Sequence, residues 1–214
     1  MTVKIQKLKG RKEVEIITFD EQKILVGTRR IECADEAALF ASEVEGLGRA
    51  VAKVRRQSGA ARIIARTLLG ELGFPPTPIL KTELGIPIWP DGVVGSLAHH
   101  ATVAAAAIAE KKTILSLGLD IEPNEPLPNG LIELIATSRE QSMYDFRLLQ
   151  RRDLFVLKEA VYKAYCPIHR EFLEFQDVEI DIGAGLAYVP KANCAFSIAL
   201  LTSDNIIGLA YLIA

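Results

Sequence analysis

The sequence predicts an α+β protein in which a helix followed by several strands occurs twice over. Two observations predict it. A helical pattern with a charged face and an apolar face covers 49–66, and another covers 152–165. Each is followed by short runs rich in apolar or β-branched residues, bounded by Gly and Pro. With 214 residues, half of them hydrophobic, the chain can bury one substantial core or two small ones.

In order, Val14 to Phe19 reads as a strand, and Asp35 to Ala52, acidic and then alanine-rich, reads as helical. The 49–66 helix carries Arg55, Arg62 and Arg66 at i, i+7, i+11, one stripe, with Ile63, Ile64 and Leu68 on a core side. Pro75-Pro76 blocks its continuation. The segment 85–95 is loop-like around Trp89, and Val93 to Leu97 suggests a strand. Leu117 to Ile121 reads as another, with an extended exit imposed by Pro123, Pro126 and Pro128. Leu131 to Ala136 and Arg152 to Tyr165 read as helices, the second stopped by Pro167. Val178 to Ile182, Cys194 to Leu201 and Ile206 to Ile213 read as strands. The reading divides the chain into 1–112 and 113–214.

Composition narrows the function. A net charge of −2 gives no bulk argument for nucleic acid. The run Lys4, Lys7, Lys9, Arg11, Lys12 reads as a solvated, partly mobile terminus rather than a nucleic-acid arm. No apolar run approaches a bilayer-spanning length, and no secretory signal is visible. Cys33, Cys166 and Cys194 are far apart and outside any C-x-x-C spacing, which fits buried thiols in a reducing cytoplasm.

Two segments carry chemistry. In Gly118-Leu119-Asp120-Ile121-Glu122, a strand would place Asp120 and Glu122 on one face. In Phe155-Val156-Leu157-Lys158-Glu159-Ala160-Val161-Tyr162-Lys163, a helix would place Glu159 and Lys163 one above the other. Hard oxygen donors at this density suit Mg²⁺ beside a phosphate. The bland alternative is a solvated i,i+4 pair worth about 0.3–0.5 kcal/mol.

Together these segments resemble the bipartite signature of the 4′-phosphopantetheinyl transferases: Gly-(Ile/Leu)-Asp-x-Glu, then an aromatic residue, two variable positions, Lys-Glu-(Ala/Ser) and a later Lys. Gly118, Asp120, Glu122, Phe155, Lys158, Glu159, Ala160 and Lys163 supply it. The stretch from Trp89-Pro90 through Gly95-Ser96 to His99-His100, the run Ala61-Arg62-Ile63-Ile64-Ala65-Arg66, the segment Pro78-Ile79-Leu80-Lys81 and the tail from Tyr165 to Val178 are similar to further parts of that family. The resemblance covers about residues 45–180 and is closest to the enterobactin- and surfactin-type branch. Ala98 departs from the usual Ser or Thr, Ala61 from the usual Gly, and the spacing from Arg55-Arg56 to Arg62 is about one residue short.

The resemblance implies two similar α+β subdomains with antiparallel strands, related by a pseudo-twofold axis with a coenzyme cleft between them. It also implies a strand over 101–109, where alanine propensity alone would give helix. The implied reaction moves the 4′-phosphopantetheine arm of coenzyme A to a serine of an apo acyl or peptidyl carrier protein and releases 3′,5′-ADP. Asp120, Glu122 and Glu159 would hold Mg²⁺, with Mn²⁺ as its substitute. Glu159 would be metal ligand, base towards the serine, or both. Lys158 and Lys163 would meet the pyrophosphate. His99 beside Ser96, Lys81, Arg62 and one of Arg55 or Arg56 would bind the coenzyme, chiefly through its phosphates. The expected protein is a cytoplasmic monomer. The rival reading is a coenzyme A- or carrier-binding module without catalysis, hinted at by Ala98 and the arginine spacing.

Overall fold

The computed structural model describes residues 3–8, 14–19 and 23–214. Of the basic run at the N-terminus, Lys9, Arg11 and Lys12 lie outside the described residues, as do the side chains of Lys4 and Lys7. The chain forms two compact units, Met1–Leu115 with Ile213–Ala214, and Ser116–Leu212.

The first unit holds a five-stranded sheet, β1 (Val3–Leu8), β2 (Val14–Phe19), β3 (Ile24–Arg30), β4 (Val93–His99) and β5 (Val103–Glu110), in the order β1-β2-β3-β5-β4 with antiparallel neighbours. The strands β1 and β3 were not expected from sequence. The region read as one helix over 35–52 is a 3₁₀ turn at Cys33–Ala38, then α1 (Ala41–Leu47). Gly48 at φ +53° ends α1, a left-handed backbone that favours glycine. Next comes α2 (Ala52–Glu71), whose Ala60, Ala61, Ile64, Ala65, Leu68 and Leu69 pack on the sheet with Ala104, Ala106 and Ile108.

The alanine-rich stretch is strand β5. Ala104 to Ala109 all have zero exposure, so the strand is buried on both faces between β3 and β4. Two ladders of backbone hydrogen bonds and two packed faces outweigh a helix preference of a few tenths of a kcal/mol per residue.

The second unit repeats the plan. Its sheet runs β6 (Ile114–Pro123), β10 (Asn205–Ile213), β9 (Cys194–Thr202), β8 (Leu186–Val189), β7 (Glu179–Asp181). Three short helices, α3 (Ile132–Ile135), α4 (Ser138–Met143) and α5 (Phe146–Leu149), precede α6 (Asp153–His169). Contrary to expectation, Pro167 lies inside α6 and does not stop it. It falls in the last turn, so that only two helical residues lie beyond it, and Arg170 closes the helix in the left-handed region at φ +55°. Leu157, Ala160, Val161 and Ala164 of α6 pack with Ile180, Ala187, Phe196 and Ile198 of the sheet.

Candidate active site

The second unit brings α6 against β6 at close range because of one residue. A Cβ built on Gly118 would lie 1.9 Å from the Ala160 carbonyl oxygen and 2.6 Å from the Ala164 nitrogen. Only glycine lets the helix backbone sit on the strand at this point. Two residues before it, Ser116 donates its hydroxyl to the Ala164 carbonyl at 2.5 Å. Two residues after it, on the same face by strand alternation, stands Asp120. Lys163 reaches it, with Nζ 2.6 Å from Asp120 Oδ1.

Glu159 lies one helical turn before Lys163 and is half-buried. Among the described residues it joins no ion pair or hydrogen bond of its own. Its carboxyl is held above the ordinary 4.5, first by burial and then by the negative charges of Asp120 and Glu122, with Lys163 acting in the opposite direction. The three carboxylates therefore share one electrostatic environment. Glu122 is paired with Arg152 at 2.6 Å, and Arg152 also stands 3.6 Å from Glu125. Among the described residues no group of three or more His, Cys, Asp or Glu closes on a point as a finished metal shell.

Lys158 requires a correction. It points away from the Glu159 face of α6 into the core and is only 1 % exposed. Its three donors are used by the Ile135 carbonyl at 2.8 Å, the Phe175 carbonyl at 2.9 Å and Glu140 Oε2 at 2.7 Å. Burial lowers its pKa, and Glu140 works against that shift. An ammonium saturated in this way has nothing left for a phosphate. It anchors the helix and leaves the face carrying Glu159 and Lys163 turned towards Asp120.

In the first unit Arg62 is corrected for the same reason. It is 3 % exposed and donates to the Ile79 carbonyl from Nε at 3.0 Å and Nη2 at 2.7 Å, and to the Ser58 hydroxyl at 2.5 Å. Its Nε also lies 3.2 Å from Glu43. Arg66 lies 2.9 Å from the same carboxylate and stacks 4.5 Å above the Phe40 ring. The arginine stripe is real, but its lower part faces a buried glutamate. Of the remaining pair, Arg55 reaches the Gly48 carbonyl at 3.4 Å and Arg56 stands 4.0 Å from Glu36. Both are half-buried, and the Nε of each is buried without a hydrogen-bond partner.

His99 is exposed at the end of β4, and Lys81 is exposed in an isolated bridge to Pro87. Ser96 is 4 % exposed and shares a strand face with Ala98, also 4 %. They pair with Ala107 and Ala105, so position 98 is a packing position. Trp89 is partly buried: it packs against the α2 cluster and donates Nε1–H to the Gly95 carbonyl at 2.9 Å.

Sequence reasoning missed Glu43, Glu140 and Arg152. Thr137-x-x-Glu140 is a capping-box pattern that could have drawn attention to Glu140, since Thr137 N–H donates to Glu140 Oε2 at 2.7 Å and Glu140 N–H to the Thr137 hydroxyl at 3.2 Å. Nothing local distinguishes Glu43 from its neighbour Glu45.

Comparison with known proteins bears on the whole arrangement. Residues 42–109 match the 4′-phosphopantetheinyl transferase N-terminal domain, and residues 116–203 match the 4′-phosphopantetheinyl transferase superfamily domain. The chain is 37 % identical over 176 residues to 4′-phosphopantetheinyl transferase Svp of Streptomyces mobaraensis, covering 79 % of this chain and 69 % of that one. It is 39 % identical over 174 residues to the transferase Npt of Nocardia iowensis, covering 80 % and 78 %. It is 41 % identical over 138 residues to the transferase PptT of Mycobacterium tuberculosis, covering 63 % and 61 %. The enterobactin-type branch is matched more weakly, at 34 % over half of this chain. A strand glycine seating the Lys-Glu-Ala helix beside Asp120, within two matching domains, has a plain meaning: the chain belongs to the 4′-phosphopantetheinyl transferase superfamily, as an enzyme of that class.

Proposed function

We propose that this enzyme transfers the 4′-phosphopantetheine arm of coenzyme A to a serine of an apo acyl or peptidyl carrier protein in a Mg²⁺-dependent reaction. The serine oxygen forms a bond to the phosphorus carrying the arm, the bond from that phosphorus to 3′,5′-ADP breaks, and the serine proton passes to a base. The observation that carries this reading is the meeting of Asp120, Glu159 and Lys163 across the Gly118 contact, with Lys163 2.6 Å from Asp120.

The donor set fits Mg²⁺. The charges of Asp120 and Glu122 add to burial in raising the proton affinity of Glu159, and a cation relieves that repulsion. Mg²⁺ needs only one or two carboxylates, with water and phosphate oxygens completing its shell. Asp120 and Glu159 would hold it, with Glu122 held near by Arg152. When bound, the metal supplies charge neutralisation at the pyrophosphate.

The side chains supply the rest. Glu159, with its proton affinity raised, is suited to take the serine proton, directly or through water. Lys163 exchanges Asp120 for a phosphate oxygen and offsets charge that grows on the leaving group. Lys81, His99 and one of Arg55 or Arg56 bind coenzyme phosphates. Arg62 and Lys158 leave that list, because their donors are spent in the core. Ser96, buried on the sheet, contributes through its strand. Among the described residues no helix is long and apolar enough to cross a membrane, and we place the enzyme in the cytoplasm as a monomer.

A panel of apo carrier proteins, mixed with coenzyme A and Mg²⁺ and read by intact mass, tests the reading. The expected result is a gain of one phosphopantetheine on at least one carrier class. Coenzyme A binding measured by calorimetry, with no mass gain on any carrier, would instead favour a binding module.

A further inference from the structure

Between α2 and β4 the chain runs 21 residues with a single isolated β-bridge, Lys81 to Pro87. Lys81 stands in this irregular segment, so something other than a sheet must hold it. The residue that enters the core is Ile79, with zero exposure. Both of its backbone polar groups are gripped by buried charges. Its N–H donates to Glu43 Oε1 at 2.7 Å. Its carbonyl accepts two bonds from Arg62, at 3.0 and 2.7 Å.

The grip is itself braced. Glu43, 2 % exposed, accepts the Phe40 N–H at 2.8 Å and pairs with both Arg62 and Arg66. Arg62 is steadied by the Ser58 hydroxyl. From Ile79 the hold passes outward along a short ladder, with the Ile88 N–H donating to the Leu80 carbonyl at 2.9 Å and Lys81 bridging Pro87.

The second unit contains the same device. Glu140, 1 % exposed and third in its short helix, accepts its own helix-start N–H from Thr137, pairs with Lys158 of the long helix, and accepts the N–H of Ile180 at 2.7 Å. In both units a buried glutamate ties a short helix, a cation of the long helix and an isoleucine amide. A buried pair with its hydrogen bonds satisfied confers register more than net stability.

We propose that Glu43 and Arg62 are positioning residues for coenzyme binding, acting through the Ile79 peptide to fix Lys81. This rests on the reading that Lys81 contacts a coenzyme phosphate. Arg62 then matters to the coenzyme without touching it.

The test is a double-mutant cycle on coenzyme A affinity, measured by titration calorimetry with Mg²⁺ present. Lys81→Ala is expected to weaken binding about tenfold, the worth of one charge-assisted contact. Arg62→Lys keeps a charge beside Glu43 but loses the two-pronged hold on Ile79. It is expected to weaken binding by roughly three- to tenfold, with kcat at saturating coenzyme unchanged and faster amide exchange over 78–88. In the Lys81→Ala background the Arg62→Lys effect should vanish. An undiminished effect in that background would overturn the positioning role while leaving Lys81 as a contact. Native affinity for Lys81→Ala would overturn the Lys81 reading and the inference with it. If Arg62→Lys fails to fold, Ser58→Ala, which removes only the brace, is expected to give the same pattern at smaller amplitude, and native affinity and exchange there would overturn the proposal.

Discussion

Replacing Gly118 by alanine adds only one methyl group, yet it should cripple the enzyme. The new Cβ would sit 1.9 Å from the Ala160 carbonyl oxygen. A carbon needs about 3.3 Å from such an oxygen, so the shortfall is about 1.4 Å. The obstacles are helix backbone atoms, which cannot rotate aside. Helix α6 must lift from β6, stretching the 2.5 Å bond from Ser116 to Ala164 and the 2.6 Å pair between Lys163 and Asp120. Overpacking of this kind costs about 1–3 kcal/mol, occasionally more. In a unit of this size that lowers the melting temperature by roughly 5–15 °C. A misplacement of about 1 Å at a catalytic group costs on the order of 100-fold in rate. The assays are thermal unfolding by circular dichroism and kcat/KM on an apo carrier. Gly70→Ala in α2 is the control, because a Cβ there meets nothing within 4 Å. It should gain about 0.5–1 kcal/mol and keep full activity. Native stability and native kcat/KM for Gly118→Ala would refute the argument that this contact sets the site.

Three further outcomes follow from the charges. Glu159→Gln should raise the melting temperature at neutral pH, because the ionised native carboxylate is disfavoured by burial and by Asp120 and Glu122. A raised folded pKa means this cost is present above that pKa and disappears below it, so the gain over the native protein should shrink as the pH falls into the carboxylate range. Lys163→Gln should bind Mn²⁺ roughly two- to fivefold more tightly when coenzyme is absent, as read by electron paramagnetic resonance, because the ammonium paired with Asp120 competes with the cation. Weaker binding would show that Lys163 supports the site rather than competing for it. Lys158→Ala should destabilise the second unit by about 3–5 kcal/mol in urea unfolding, since it leaves Glu140 buried and unpaired. A change below 1 kcal/mol would contradict the anchoring role.

What could be read in the sequence was what local chemistry encodes. Asp120 with Glu122 on a strand, and Glu159 with Lys163 on a helix, follow from periods of 2.0 and 3.6 residues, and both elements are present. The strand at β5 was reached only through the family resemblance, because the cause of its conformation lies in β3 and β4 and not in its own alanines. Strands β1, β3 and β8 went unseen for a similar reason, since short strands draw their stability from their neighbours. The roles of Arg62 and Lys158 were misread because a motif position fixes a residue type and not the direction of its side chain. Lys158 is adjacent to Glu159 in sequence, about 100° away around the helix, and that rotation carries it into the core. The acids that receive these cations, Glu43 and Glu140, lie 19 and 18 residues earlier in the chain, beyond any local pattern.

The central claim is that Glu159 and Asp120, seated by Gly118, perform a metal-dependent transfer from coenzyme A. The most direct measurement is the intact mass of one apo carrier incubated with coenzyme A and Mg²⁺ and either the native enzyme or Glu159→Gln. The native enzyme should add one phosphopantetheine to the carrier serine, and chelation with EDTA should abolish the addition. Glu159→Gln should leave the carrier unmodified while still binding coenzyme A. Equal modification by both proteins, or modification that persists in EDTA, would contradict the account.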